Sequence, residues 1–186
     1  ALKTNQAAAL STAGVAAMET RDVAALATAS IAALTTAQVA SGLTTDQMGA
    51  LTSAEIAALK SNQVQALTTA QIAALKTAQI AALTSANIAA LTTAQIAQGL
   101  TTDQIAALTT AGVTALSTAG MAALTTDQVV ALRTDQAAAL KNNQIAALTT
   151  AGLAALETRD VAALATASIA ALSSTQVASG LTTDQI

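Results

Sequence analysis

The 186-residue chain has no cysteine, histidine, proline, tryptophan, tyrosine or phenylalanine. Without cysteine it forms no disulfides and does no thiolate chemistry, and the redox compartment is left open. Without histidine or cysteine, and with few lysines, it offers no nucleophile–base pair. Without aromatics it has nothing on which nucleic-acid bases could stack. Seven basic residues against ten acidic ones, a net charge of −3, oppose binding to a polyanion. The mean hydropathy is positive, but alanine produces that score. Even the uncharged stretch 77–102 carries Thr, Gln or Asn several times in every two units, unlike a membrane span of about 20 apolar residues.

What the chain does contain is one eight-residue unit, repeated. Leu91-Thr92-Thr93-Ala94-Gln95-Ile96-Ala97 shows the consensus L-T-T-A-Q-I-A-A. With Leu as position one, the unit begins at Leu2, Leu10, Met18, Leu26 and Leu34 and continues to Leu181. Three units carry a ninth residue, Gly42, Gly99 or Gly180. Position six is apolar, as at Ile72, Ile80, Val113, Met121 and Leu153, with Ala7 and Ala137 the smallest cases. Every charge falls at position two, four or five: Lys60, Lys76 and Arg133 at two, Asp46, Asp103 and Arg159 at four, Glu55 and Asp160 at five. Because burying a charge is costly, positions two, four and five are expected to face water, and positions one and six to form the core.

Position three is Ser or Thr in every unit except at Asn142. These residues cap the free N–H groups at a helix start, so Thr93 is expected to cap a short helix from Ala94 to about Leu100. Acidic residues then fall in the first turn, where the helix dipole favours them. A competing frame places the cap at position two, with Thr92 and Gln95 forming a capping box. Position three is preferred, because position two also accepts Lys, Arg, Glu and Ala. A single continuous helix fails, since eight residues overshoot two turns by roughly 80° and the Leu side chains would spiral. The expected fold is therefore all-α, a solenoid of short Thr/Ser-capped helices; a β-solenoid is the alternative, disfavoured by the abundance of alanine. Isolated two-turn helices are unstable in water, so stability must come from stacking units. The added glycines are expected to turn a corner or correct the register.

A longer period is also present. Residues 1–48 recur at 139–186, with 39 of 48 positions identical at an offset of 138 residues. The chain starts and stops within a unit and shows no polar capping unit, which solenoids use for solubility. Residues 1–186 are accordingly expected to be a single continuous array and a window of a longer chain.

Few residues suggest chemistry. Glu19, Arg21 and Asp22, recurring as Glu157, Arg159 and Asp160, read as local charge pairs at helix starts rather than an ion site. Asp46 and Asp127 supply one carboxylate each where calcium wants six or more oxygens. Met18, Met48 and Met121 replace Leu or Ile and read as packing residues. No catalytic, cofactor-binding or metal-ligating residue is expected, and no enzyme activity.

The octads L-T-T-A-Q-I-A-A and L-T-T-D-Q-I-A-A resemble, along the whole chain, those of very large bacterial repeat proteins, often labelled haem utilisation or adhesion proteins or beta strand repeat proteins. The resemblance implies secretion and a role in an extracellular or cell-surface filament or adhesin. It carries over no catalytic residue, and the haem label finds no His, Cys or Tyr for axial ligation. The expected function is a structural segment of an extracellular filament, fibre or stalk; the alternative is a spacer or ligand-binding platform of a surface adhesin. The expected partner is the array itself, end to end or laterally, with surface glycans on the Thr-rich exterior, no nucleic acid and no transmembrane segment.

Overall fold

The computed structural model describes residues 2–186. Each octad forms one helix. The α-helices run from four residues, as in Thr20–Val23, to seven in Ser174–Gly180. No strand occurs among the described residues, so the β-solenoid is excluded there and the all-α solenoid stands. Between helices lie two extended residues, position one and position two. Leu51 at φ −57° and ψ 145° and Thr52 at φ −74° and ψ 158° turn the chain from Thr45–Ala50 into Ser53–Ala57.

The chain divides into two compact units, up to Leu91 and from Thr92. Within each, a helix packs on the third helix after it. In the first, Thr4–Ala9 meets Thr28–Ala33 and Thr45–Ala50 meets Thr69–Ala73; in the second, Thr134–Ala139 meets Thr158–Ala163 and Thr150–Ala155 meets Ser174–Gly180. The core follows positions one and six. Ile56, Ile72, Ile105 and Val113 are fully buried, and Leu51, Leu59, Leu108 and Leu116 nearly so. No helix could bury its apolar stripe alone, so the stacking that repeat architectures depend on supplies the core.

The structure corrects the capping frame. Helices begin at position three, and position two is the N-cap. Thr44 Oγ1 accepts from Gln47 N at 3.2 Å, and Gln47 Oε1 accepts from Thr44 N at 2.9 Å, which is the capping box. Lys is tolerated at position two because the Gln half of the box survives: Lys76 N still donates to Gln79 Oε1 at 2.6 Å. At position three some hydroxyls reach the next turn instead. Ser53 and Ser61 hydroxyls donate to the carbonyls of Ala78 and Ala86, each 25 residues on, at 3.2 and 3.3 Å. The first-turn carboxylates fall where expected, at Asp46, Glu55, Asp103 and Asp127.

The glycine insertions correct register without unusual dihedrals, as no described glycine has positive φ. In Gln38–Gly42 and Gln95–Gly99 the added residue is taken up as a π-turn. Leu43 N and Leu100 N reach back to Gln38 O and Gln95 O, each at 2.9 Å. Position one thereby keeps its place in the core. Glycine is needed at residue 42 by crowding: a Cβ there would lie 3.1 Å from Val15 Cβ and 3.2 Å from Thr12 O. At residue 180 it would meet Leu153 Cδ1 at 3.2 Å and Thr150 Cα at 3.3 Å.

Candidate functional site

The second correction concerns position five, which was expected to face water and is buried. Gln47, Gln63, Gln79, Gln136 and Gln144 are at most 2% exposed. Each sits at the third residue of its helix, where Oε1 turns back to the N-cap amide. That leaves the amide nitrogen pointing across to the preceding turn, where it donates to two carbonyls at the end of the fourth helix back. Gln71 Nε2 lies 2.8 Å from Val39 O and 2.6 Å from Leu43 O. Gln79 Nε2 lies 2.9 Å from Met48 O and 2.6 Å from Leu51 O. In the second unit, Gln136 reaches Ile105 O at 3.0 Å and Leu108 O at 2.7 Å, and Gln144 reaches Val113 O and Leu116 O, both at 2.9 Å. These bonds span 28 to 32 residues. With packing at the third helix and bonding to the fourth, a turn takes between three and four octads.

The result is a ladder of amides inside each unit. Each rung uses both hydrogens and the oxygen of one buried amide, so the group is fully satisfied, the condition under which a buried polar network stabilises. The carbonyls it takes up lie at helix ends, where backbone acceptors run short of helical partners; Ile105 O and Val113 O also accept from the cap amides of Leu108 and Leu116. The sequence carried the signal. Gln stands at position five of 13 of the 23 units, from Gln6 to Gln185, far more uniformly than a solvated position requires. Glu55 and Asp160 share the position and make it look polar and exposed. Those two charged residues are in fact only 3% and 0% exposed.

The charged residues singled out from sequence form no site. Arg21 pairs with Glu19 at 2.7 Å and lies 3.8 Å from Asp22, with all three side chains well exposed. Arg159 pairs with Glu157 and stands 3.8 Å from Asp160. The Arg133 guanidinium binds Asp135 in a two-pronged pair, both at 3.0 Å, and also the Ala106 carbonyl. Its hydrogen bond holds the exposed Asp135 carboxyl below its ordinary value. Met48 and Met121 are fully buried core residues. Among the described residues no group of His, Cys, Asp and Glu is placed to hold a metal ion, and no helix is long and apolar enough to cross a membrane. Both units carry a surface depression. One, of about 450 Å³, is lined by Val161, Ala162, Ile169, Leu181 and Asp184 in the second unit. The other, of about 490 Å³, is lined by Leu2, Met18, Asp22 and Leu26 in the first. Each wall combines core-position side chains with a single acidic residue, which is not an acid–base pair.

The specific chemistry of the interior is thus spent on joining turn to turn. No curated protein and no solved structure matches the chain. The profile of the ALTTAQ repeat family matches residues 15–53, 49–77, 74–110, 99–134, 113–150 and 153–186 in overlapping blocks. Those matches span nearly the whole octad array, and the chain belongs to the ALTTAQ repeat family.

Proposed function

We propose that this chain is a structural segment of an extracellular bacterial filament or stalk, and that its principal partner is the continuation of the array itself. The observation that carries the reading is the amide ladder. Every rung ties a helix to the end of the fourth helix before it, so each turn is bonded to the one below it as well as stacked on it. Such bonds resist separation along the stacking direction, the mechanical demand on a fibre. Among the described residues, no group of His, Cys, Asp and Glu is placed to hold a metal ion. The scarcity of basic residues and the absence of aromatics oppose nucleic acid as a partner.

Electron microscopy of the native material tests this. The reading expects long fibres in which short helices coil around a Leu/Ile core, with antibody labelling on the outside of intact cells. Compact, non-elongated particles, or labelling only after lysis, would overturn it.

A further inference from the structure

We infer that the array contains a built-in yield point, a seam between two turns of the second unit that opens before the turns around it. The lower turn comprises Thr126–Val130, Thr134–Ala139 and Asn142–Ile145; the upper comprises Thr150–Ala155, Thr158–Ala163 and Thr166–Ala170. The inference holds whether or not the array is part of a filament.

The argument rests on what stands at position five of three consecutive upper helices. Gly152 has no side chain to reach across. Asp160 has no hydrogen to donate as a carboxylate; its Oδ1 accepts from Thr134 Oγ1 at 2.6 Å, and its buried Oδ2 has no partner. Ser168 spends its one proton on Asn142 Oδ1 at 2.9 Å. Because a turn takes between three and four octads, three missing rungs in succession leave nearly a whole turn without amide ties. The neighbouring rungs are intact on both sides. Gln144 ties to Val113 and Leu116, and Gln176 ties to Ala146 and Leu148.

Two features make the seam weaker than the absence of glutamine alone would. A fully buried carboxylate oxygen without a partner carries an uncompensated desolvation cost. Asn142 then diverts the remaining carbonyl tie, so the seam keeps two side-chain bonds, Thr134 to Asp160 and Ser168 to Asn142, in place of amide-to-carbonyl rungs. That asparagine is the only residue other than Ser or Thr at position three, and its side-chain oxygen diverts Ser168. Ser30, which stands 138 residues before Ser168, instead donates to the Leu2 carbonyl, 28 residues back, at 3.1 Å. Hydrophobic stacking persists across the seam, with Leu148, Leu153 and Leu156 buried. Separation there is therefore a local opening, with apolar contact favouring reclosure.

The chain has no cysteine, so one introduced thiol reports local opening. Ala137 is a fully buried position-six residue on the lower side of the seam, and Val113 is its counterpart beneath the intact Gln144 rung. In separate full-length chains, the A137C thiol should be modified by a soluble maleimide roughly tenfold or more faster than the V113C thiol, because fewer hydrogen bonds oppose opening at the seam. Adding D160Q and N142T to A137C supplies a consensus rung and frees Ser168, and should bring the two rates together. Equal rates in the starting pair would overturn the inference. So would a fast A137C rate that D160Q and N142T leave unchanged, because the missing ties would then not be its cause.

Discussion

Removing a single rung measures what the ladder is worth. Gln79 is 2% exposed, with Oε1 accepting from Lys76 N at 2.6 Å and Nε2 donating to Met48 O at 2.9 Å and Leu51 O at 2.6 Å. Gln79→Ala deletes three hydrogen bonds and leaves a void between turns. At about 1 kcal/mol net per bond, with an added cavity cost, the loss is about 3–5 kcal/mol. Gln79→Met separates the two contributions. It fills most of the volume with an unbranched apolar chain but leaves one amide and two carbonyls without their partner, for a loss of about 2–4 kcal/mol. The assay is urea unfolding followed by far-UV circular dichroism, since the chain has no aromatic residue for fluorescence. A long repeat array need not unfold in one step, so amide exchange at Lys76, whose N–H loses its acceptor, supplies the local reading. If Gln79→Met leaves both the unfolding midpoint and the Lys76 exchange rate at parental values, the ladder does not stabilise the array and the reasoning is wrong.

Three further outcomes are expected. Thr44→Ala removes a cap and should cost about 1 kcal/mol, while Thr45→Ala, at the exposed first helical residue, should cost less; Lys76→Thr should add a cap and raise the unfolding midpoint. Gly42→Ala forces a Cβ to within 3.2 Å of Thr12 O and should lower the midpoint, whereas Gly112→Ala meets nothing nearer than Thr109 Oγ1 at 3.3 Å and should gain about 0.5–1 kcal/mol from helix propensity. Asp135 should titrate below its ordinary 3.8 by carboxyl-carbon NMR, and Arg133→Ala should raise that midpoint. As a depressed carboxylate, its small contribution is present above the unfolded-state value and is lost as pH falls through the folded one.

Much of the architecture was legible because the period is short. Eight residues cannot continue as one helix with a fixed apolar stripe, so the pattern at Leu51, Ile56 and Leu59 required a chain that turns back on itself every unit. The core positions followed from where charge never appears. Two errors had one physical origin. Glu55 and Asp160 made position five look solvated, yet the helix start there is covered by the previous turn. Thr45 and its equivalents looked like caps because nearly all are Ser or Thr, yet the cap is one residue earlier, and where a position-three serine bonds, it reaches a carbonyl 25 residues away, as Ser53 does with Ala78.

The sequence by itself determined the short helix as the unit and the Leu/Ile core, since each depends on residue type and near neighbours. Only the tertiary structure decided that Gln79 reaches Met48 and Leu51, that Gly42 is required by Val15 and Thr12, and that Gly152, Asp160 and Ser168 leave one turn without amide rungs. Those facts depend on how many octads complete a turn. That number is set by how closely alanine-faced helices approach and by the carbonyls an amide can reach, and an eight-residue pattern read in isolation contains neither distance.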